Sequence, residues 1–145
     1  MVITQNDAQS LIQMDKERVD DQKYLFPSLT RTTAIPLLSF DGKEEFSLDI
    51  HECQIRLAKL TLQNRARVTI ILIRLDLAGP PHMNPDGQFI TGPHIHIYRE
   101  GFGDRFAEPL PATFINPQDK YQTLQDFLKY CHVTKPPIFD KGMWQ

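Results

Sequence analysis

Three of the five histidines, His82, His94 and His96, fall within one short stretch of the chain. On a β-strand, residues two apart share a face. A strand beginning at His94 would therefore line up His94, His96 and Tyr98, followed by Glu100, and send Ile95 and Ile97 the other way. Upstream, Arg74 and Asp76 alternate with Ile73, Leu75 and Leu77. They too would share one polar face of a strand. If the two polar faces coincide, Arg74, Asp76, His94, His96 and Tyr98 form one cluster, with His82 reaching it from the connecting loop.

Such a cluster allows three chemistries. The leading one is acid–base catalysis without a metal or other cofactor. His94 and His96 would act as general base and general acid near neutral pH, Arg74 and Arg99 would clamp a phosphate, and Tyr98 would orient or stack. That is the toolkit of a metal-independent ribonuclease. The second is a metal site, because a His-x-His pair with Glu100 and His82 suits zinc, iron or manganese. The spacing from His94 to Glu100 also resembles part of the first cupin motif. The glycines flanking that motif do not fall into place here, and helices at both ends do not suit a small barrel. The third is structural: the two histidines hydrogen-bond the loop from Gly79 to Gly92 and the face binds another protein. A two-histidine phosphoesterase needs a second His-x-Ser/Thr pair, which His51-Glu52-Cys53 is not.

The charge distribution bears on the partner. The chain of 145 residues carries a net charge of −2. Residues 1–54 hold ten acids and five bases, whereas residues 55–74 hold five bases and no acid. Arg56, Lys59, Arg65 and Arg67 would thus form a stripe able to follow an RNA backbone. The alternative is a solvated strand face that offsets the acidic N-terminal third. An acidic surface favours a protein partner, an antitoxin or a defence component, over RNA. Two cysteines, Cys53 and Cys131, are too few for a disulfide scaffold and read as idle thiols in a reducing cytoplasm. No apolar run is long enough to span a membrane, and the N-terminus does not read as a signal peptide.

The elements that must position these groups follow from periodicity. Thr4 caps a helix expected to run to Asp21, with Ala8, Leu11, Ile12 and Val19 on one side. Residues 34–40 and 46–50 flank Asp41-Gly42, a hairpin signal, and Pro36 points to a sheet edge or bulge. A homodimer paired through that edge is compatible with the pattern. Ile55 to Leu62 continues the sheet, Gln63 to Arg67 reads as a turn, and Val68 to Leu77 is the most apolar strand. The loop around Asn84-Pro85-Asp86-Gly87 is a turn by composition, and the fifth strand is His94 to Arg99. Gln118 to Tyr130 is the last helix, with Tyr121, Leu124, Phe127 and Leu128 as its stripe. The class is α+β: a helix, an antiparallel meander of about five strands, a helix. Residues 1–145 make one domain, with 134–145 as a tail across the surface.

Four blocks look familiar together: Asp41-Gly42 to Phe46; Arg74-Leu-Asp-Leu-Ala-Gly79-Pro-Pro-His82 with Asn84-Pro-Asp-Gly87; Pro93-His-Ile-His-Ile-Tyr-Arg-Glu-Gly101 with Gly103-Asp104; and Leu124 to Pro137. They resemble a bacterial family of about this length that is known only as a domain of unknown function. The resemblance implies a bacterial, cytoplasmic, stand-alone protein and supplies no activity or catalytic residue. The organisation is also similar, at fold level, to small toxins of bacterial toxin–antitoxin systems. The expectation is therefore a toxin-like endoribonuclease. The alternative is a non-enzymatic inhibitor from a phage or mobile element, or an antitoxin-like partner.

Overall fold

The computed structural model describes residues 2–27, 32–52 and 59–140. In chain order its elements are α1 (Gln5–Gln13), β1 (Lys16–Arg18), β2 (Lys23–Leu25), β3 (Thr32–Ser39), β4 (Glu45–Glu52), β5 (Leu60–Ala66), β6 (Ile70–Leu77), β7 (His82–Met83), β8 (Phe89–Ile90), β9 (His94–Ile97), β10 (Ala107–Pro109), α2 (Lys120–Tyr130), β11 (Val133–Lys135) and β12 (Ile138–Asp140). The class is α+β, as the periodicity predicts. The five-stranded antiparallel meander needs correction. Among the described residues the main sheet has eight strands in the order β10-β9-β6-β5-β4-β3-β1-β11. It is mixed, because β1 and β11 run parallel. The separate pair β2 and β12 is parallel too.

Strict alternation builds a two-faced sheet. Ile35, Leu37, Leu48, Ile50, Leu60, Leu62, Leu75 and Ile95 are all buried in the core. They face α1, which packs on β6, and α2, which packs on β5 and β11. Removing this much apolar area from water is the main force holding the layers together. Both helices start on a side-chain cap: Thr4 Oγ1 accepts the Asp7 N–H at 3.1 Å and Asp119 Oδ1 the Gln122 N–H at 3.1 Å.

Four expectations shift. The first helix ends at Gln13, not Asp21, because Lys16 turns inward instead of out. Its Nζ donates to the carbonyls of Ile12 at 3.0 Å, Met14 at 2.9 Å and Cys131 at 2.8 Å, so it fastens the helix end to the core. Burial lowers its pKa to about 8. The segment Gln63 to Ala66, which reads as a turn, is strand, and the reversal lies at Arg67-Val68, both at positive φ. Pro36 lies within β3, just past the residues that β1 covers, which pair with Leu37, Leu38 and Ser39. The tail does not merely cross the surface, since residues 133–140 return as β11 and β12. Ile55, Leu57, Arg56, Cys53 and residues 141–145 lie outside the described residues.

Candidate functional site

The face of the sheet away from the helices is polar, and its register assembles the site. Thr61 pairs with Asp76 and Asp76 with His94 across β5, β6 and β9. One rung along, Gln63 pairs with Arg74 and Arg74 with His96. Directly opposed residues share a face, so these two rungs bring Arg74, Asp76, His94 and His96 together, as the alternation predicts. The cluster lines a cleft of about 240 Å³, bordered by Lys59, Thr61 and by Gly79 to His82 of the following loop.

Both histidine rings are buried, at 3% and 0% exposure, and both are oriented by main-chain carbonyls. His94 Nδ1 lies 2.9 Å from Gly92 O, and His96 Nδ1 lies 2.7 Å from Asp104 O. A ring nitrogen facing a carbonyl must donate, so each Nδ1 carries a proton and each Nε2 turns to the cleft. There Asp76 Oδ2 lies 3.4 Å from His94 Nε2 and 3.2 Å from His96 Nε2. His82 stands edge-on to His96, with ring centres 4.7 Å apart, and its Nε2 meets Arg105 O at 2.7 Å.

Arg74 joins these groups. It donates to Asp76 Oδ2 at 3.2 Å, to Asp104 Oδ2 at 2.5 Å and, through Nη2, to His96 Nε2 at 3.0 Å. Asp76 also accepts the Thr61 hydroxyl at 2.9 Å. Burial alone would raise the Asp76 carboxyl, but the adjacent His96 ring, the Arg74 charge and Thr61 together hold it well below the ordinary carboxylate range.

The other predicted residues take different places. Tyr98 does not continue the histidine row. A register shift between Asn64 and Arg65 leaves Leu72 in the core, and Tyr98, whose N–H donates to Leu72 O, follows it there. Its hydroxyl donates to Ile3 O at 2.8 Å. Glu100, offered as a metal ligand, instead accepts the Gln5 N–H at 2.6 Å. Arg99 sits 3.7 Å above the Phe106 ring rather than in the cleft. Arg65 is held by Asp49 at 2.5 and 3.0 Å and Arg67 by Glu44 at 2.8 Å, so much of the basic stripe is neutralised within the fold. Lys59 alone of that group borders the cleft, and Arg56 lies outside the described residues. Asp104 and Thr61 were not singled out by periodicity. The signal for Asp104 was the Gly-x-Gly-Asp turn that ends the histidine block.

Fold and cleft together define a small α+β protein with a His–His–Asp–Arg cluster, its two histidines buried, on the open face of a mixed sheet. The chain belongs to the family of unknown function DUF6978, whose profile matches residues 3–133. No curated protein and no solved structure matches it.

Proposed function

We propose that this protein is a metal-independent endoribonuclease of a bacterial toxin–antitoxin or defence system, with His94 and His96 as its acid–base pair. The observation that carries the reading is the shared orientation of the two rings: main-chain carbonyls hold both Nδ1 atoms, so both Nε2 atoms meet in one cleft. Histidines fixed in this way can pass protons to and from a bound phosphodiester.

The roles follow from the neighbours. His96 Nε2 faces both an Arg74 donor and the Asp76 carboxylate, so the two rings divide the work: the one unprotonated at Nε2 takes the proton from a ribose 2′-hydroxyl. The oxygen then attacks phosphorus, and the bond to the 5′ oxygen breaks. The other ring gives that leaving oxygen its proton, and Asp76, 3.2 Å from His96 Nε2 and 3.4 Å from His94 Nε2, stabilises its protonated form. Arg74 is tied to two carboxylates and is a positioning residue. Lys59 pairs with no carboxylate among the described residues, so it takes the phosphate role first expected of Arg74.

A metal reading has one observation in its favour. Asp76, His94 and His96 each offer a ligand atom within 4.8 Å of the others. The two spacings from Asp76, 3.2 and 3.4 Å, match the edge of a tetrahedron with bonds of about 2.1 Å. Against it, the Arg74 guanidinium lies 3.0 and 3.2 Å from two of those atoms and would press a positive charge against the ion.

The test is incubation of purified protein with total RNA, with and without a chelator, beside His94→Ala and His96→Ala. Cleavage that survives the chelator and falls roughly 100-fold or more in either variant is expected. Cleavage abolished by the chelator would move the assignment to the metal site. RNA left intact by the folded parent protein would end the nuclease reading in favour of a binding protein.

A further inference from the structure

The segment from Arg99 to Phe106 does two jobs at once. Its main chain serves the cleft: Asp104 O accepts from His96, Arg105 O meets His82, and the Asp104 carboxylate holds Arg74. Its side chains form a second structure outside the cleft. Phe102 and Phe106 meet edge to face with ring centres 5.0 Å apart. Arg99 covers the Phe106 ring at 3.7 Å, and Arg105 stands 5.5 Å from the Phe102 centre.

Two features of this stack suit it to a ligand. Phe102 keeps 39% of its surface exposed, so its ring stays accessible beside Arg105. The arginines are also uncompensated. Arg18, Arg65, Arg67 and Arg74 each pair with a carboxylate. Arg99 and Arg105 pair with none among the described residues and lie against aromatic rings instead. Arg105 is exposed, and its Nε makes one long bond to Phe102 O at 3.3 Å, so it can move to cover an incoming ring.

We infer that Phe102, Phe106, Arg99 and Arg105 form a stacking platform for unpaired bases of a single-stranded RNA, next to the cleft that cuts it. A flat π surface flanked by unpaired guanidinium groups meets both halves of a nucleotide. The base stacks on the ring or on a guanidinium plane, and the cation meets the phosphate. A protein partner would need pockets or a broad apolar patch, whereas this surface is narrow and cationic. A duplex hides its base faces and cannot use it. The platform deepens the nuclease reading and rests on it for the identity of the ligand. It also gives Arg99, first expected at the reacting phosphate, a place on the strand beside it.

The experiment is fluorescence anisotropy with a short 2′-O-methyl RNA, which can bind but cannot be cut through its 2′ oxygen. The protein is compared with Phe102→Leu and Arg105→Ala. Leucine keeps the packing on Phe106 and removes the π face, and thermal unfolding confirms that each variant is folded. Affinity is expected to drop about tenfold in Phe102→Leu. It should weaken in Arg105→Ala with a shallower salt dependence. A duplex of the same sequence should bind worse than the single strand. Equal affinity in Phe102→Leu, equal binding of the duplex, or no binding by the parent protein would each overturn the platform. If binding depends on Phe102 while unmodified RNA stays intact, the cleavage reading fails and the platform stands.

Discussion

Asp76 carries more of the site than any other single side chain. It touches Thr61, Arg74, His94 and His96; burial pushes its carboxyl up, but His96, Arg74 and Thr61 together hold it below the ordinary value of 3.8. The sign of the pH effect follows. The unfolded carboxylate takes up a proton near its ordinary value, whereas the folded one resists until lower pH. Its contribution is therefore complete above about pH 4 and is lost as pH falls toward the lower folded value. Asp76→Asn removes this contribution. The variant should be less stable at neutral pH by about 1–3 kcal/mol, the usual cost of disrupting a buried polar partner. Its thermal midpoint should also fall less steeply than the parent's between about pH 4 and pH 2. Parallel acid limbs for the two proteins would show that another carboxylate governs that range. Asp49 is the natural candidate, since Arg65, Gln63 and Ser47 all bond it.

At the scale of elements, the link between β5 and β6 shows where sequence reading worked and where it failed. Alternation placed Arg74 and Asp76 on one face and His94 and His96 on one face, and the register made the two faces one. Alternation is local, so it survives translation into structure. Composition misled at Gln63 to Ala66: polar residues there line the open face of a strand and are not a turn. The true reversal uses Arg67 at φ 50° and Val68 at φ 70°, without the Asn-Gly that usually marks such a turn. A β-branched residue in that region is strained. Val68→Gly should therefore stabilise the protein by about 1 kcal/mol in chemical denaturation. An unchanged or lower midpoint would mean that contacts of the exposed Val68 side chain offset the strain. The row from His94 was read two residues too far for a related reason. Tyr98 follows a register shift, and nothing in a period-two pattern announces a bulge.

For the whole molecule, the ends of the chain close the structure. Ile3 is bonded to Tyr98 and Gln5 to Glu100, so α1 is fastened beside the segment that serves the cleft. At the other end β11 pairs with β1 and β12 with β2. These contacts join residues far apart in sequence, so no local signal could announce them, and the last segment read as a strap. Removing residues 133–145 should uncover β1, β2 and the side of α2 that β11 covers. The shortened chain is expected to lose its cooperative thermal transition or to melt at least about 10 °C lower, since the unfolded state gains entropy while buried contacts vanish. A truncated protein that melts like the parent would mean the two strands add little to the fold.

The loop from Arg99 to Phe106 supports the histidines through carbonyl oxygens, atoms that every residue type possesses. Its side chains at 102, 105 and 106 are thus released from that duty, and only Asp104 is bound to the site by its own chemical identity. Such a separation makes the segment readily evolvable. Members of a lineage can exchange what the loop presents to the outside while the histidine geometry beneath stays constant. A randomised library at those three positions is the natural place to look for altered binding preference in variants that keep the fold and the histidine cleft.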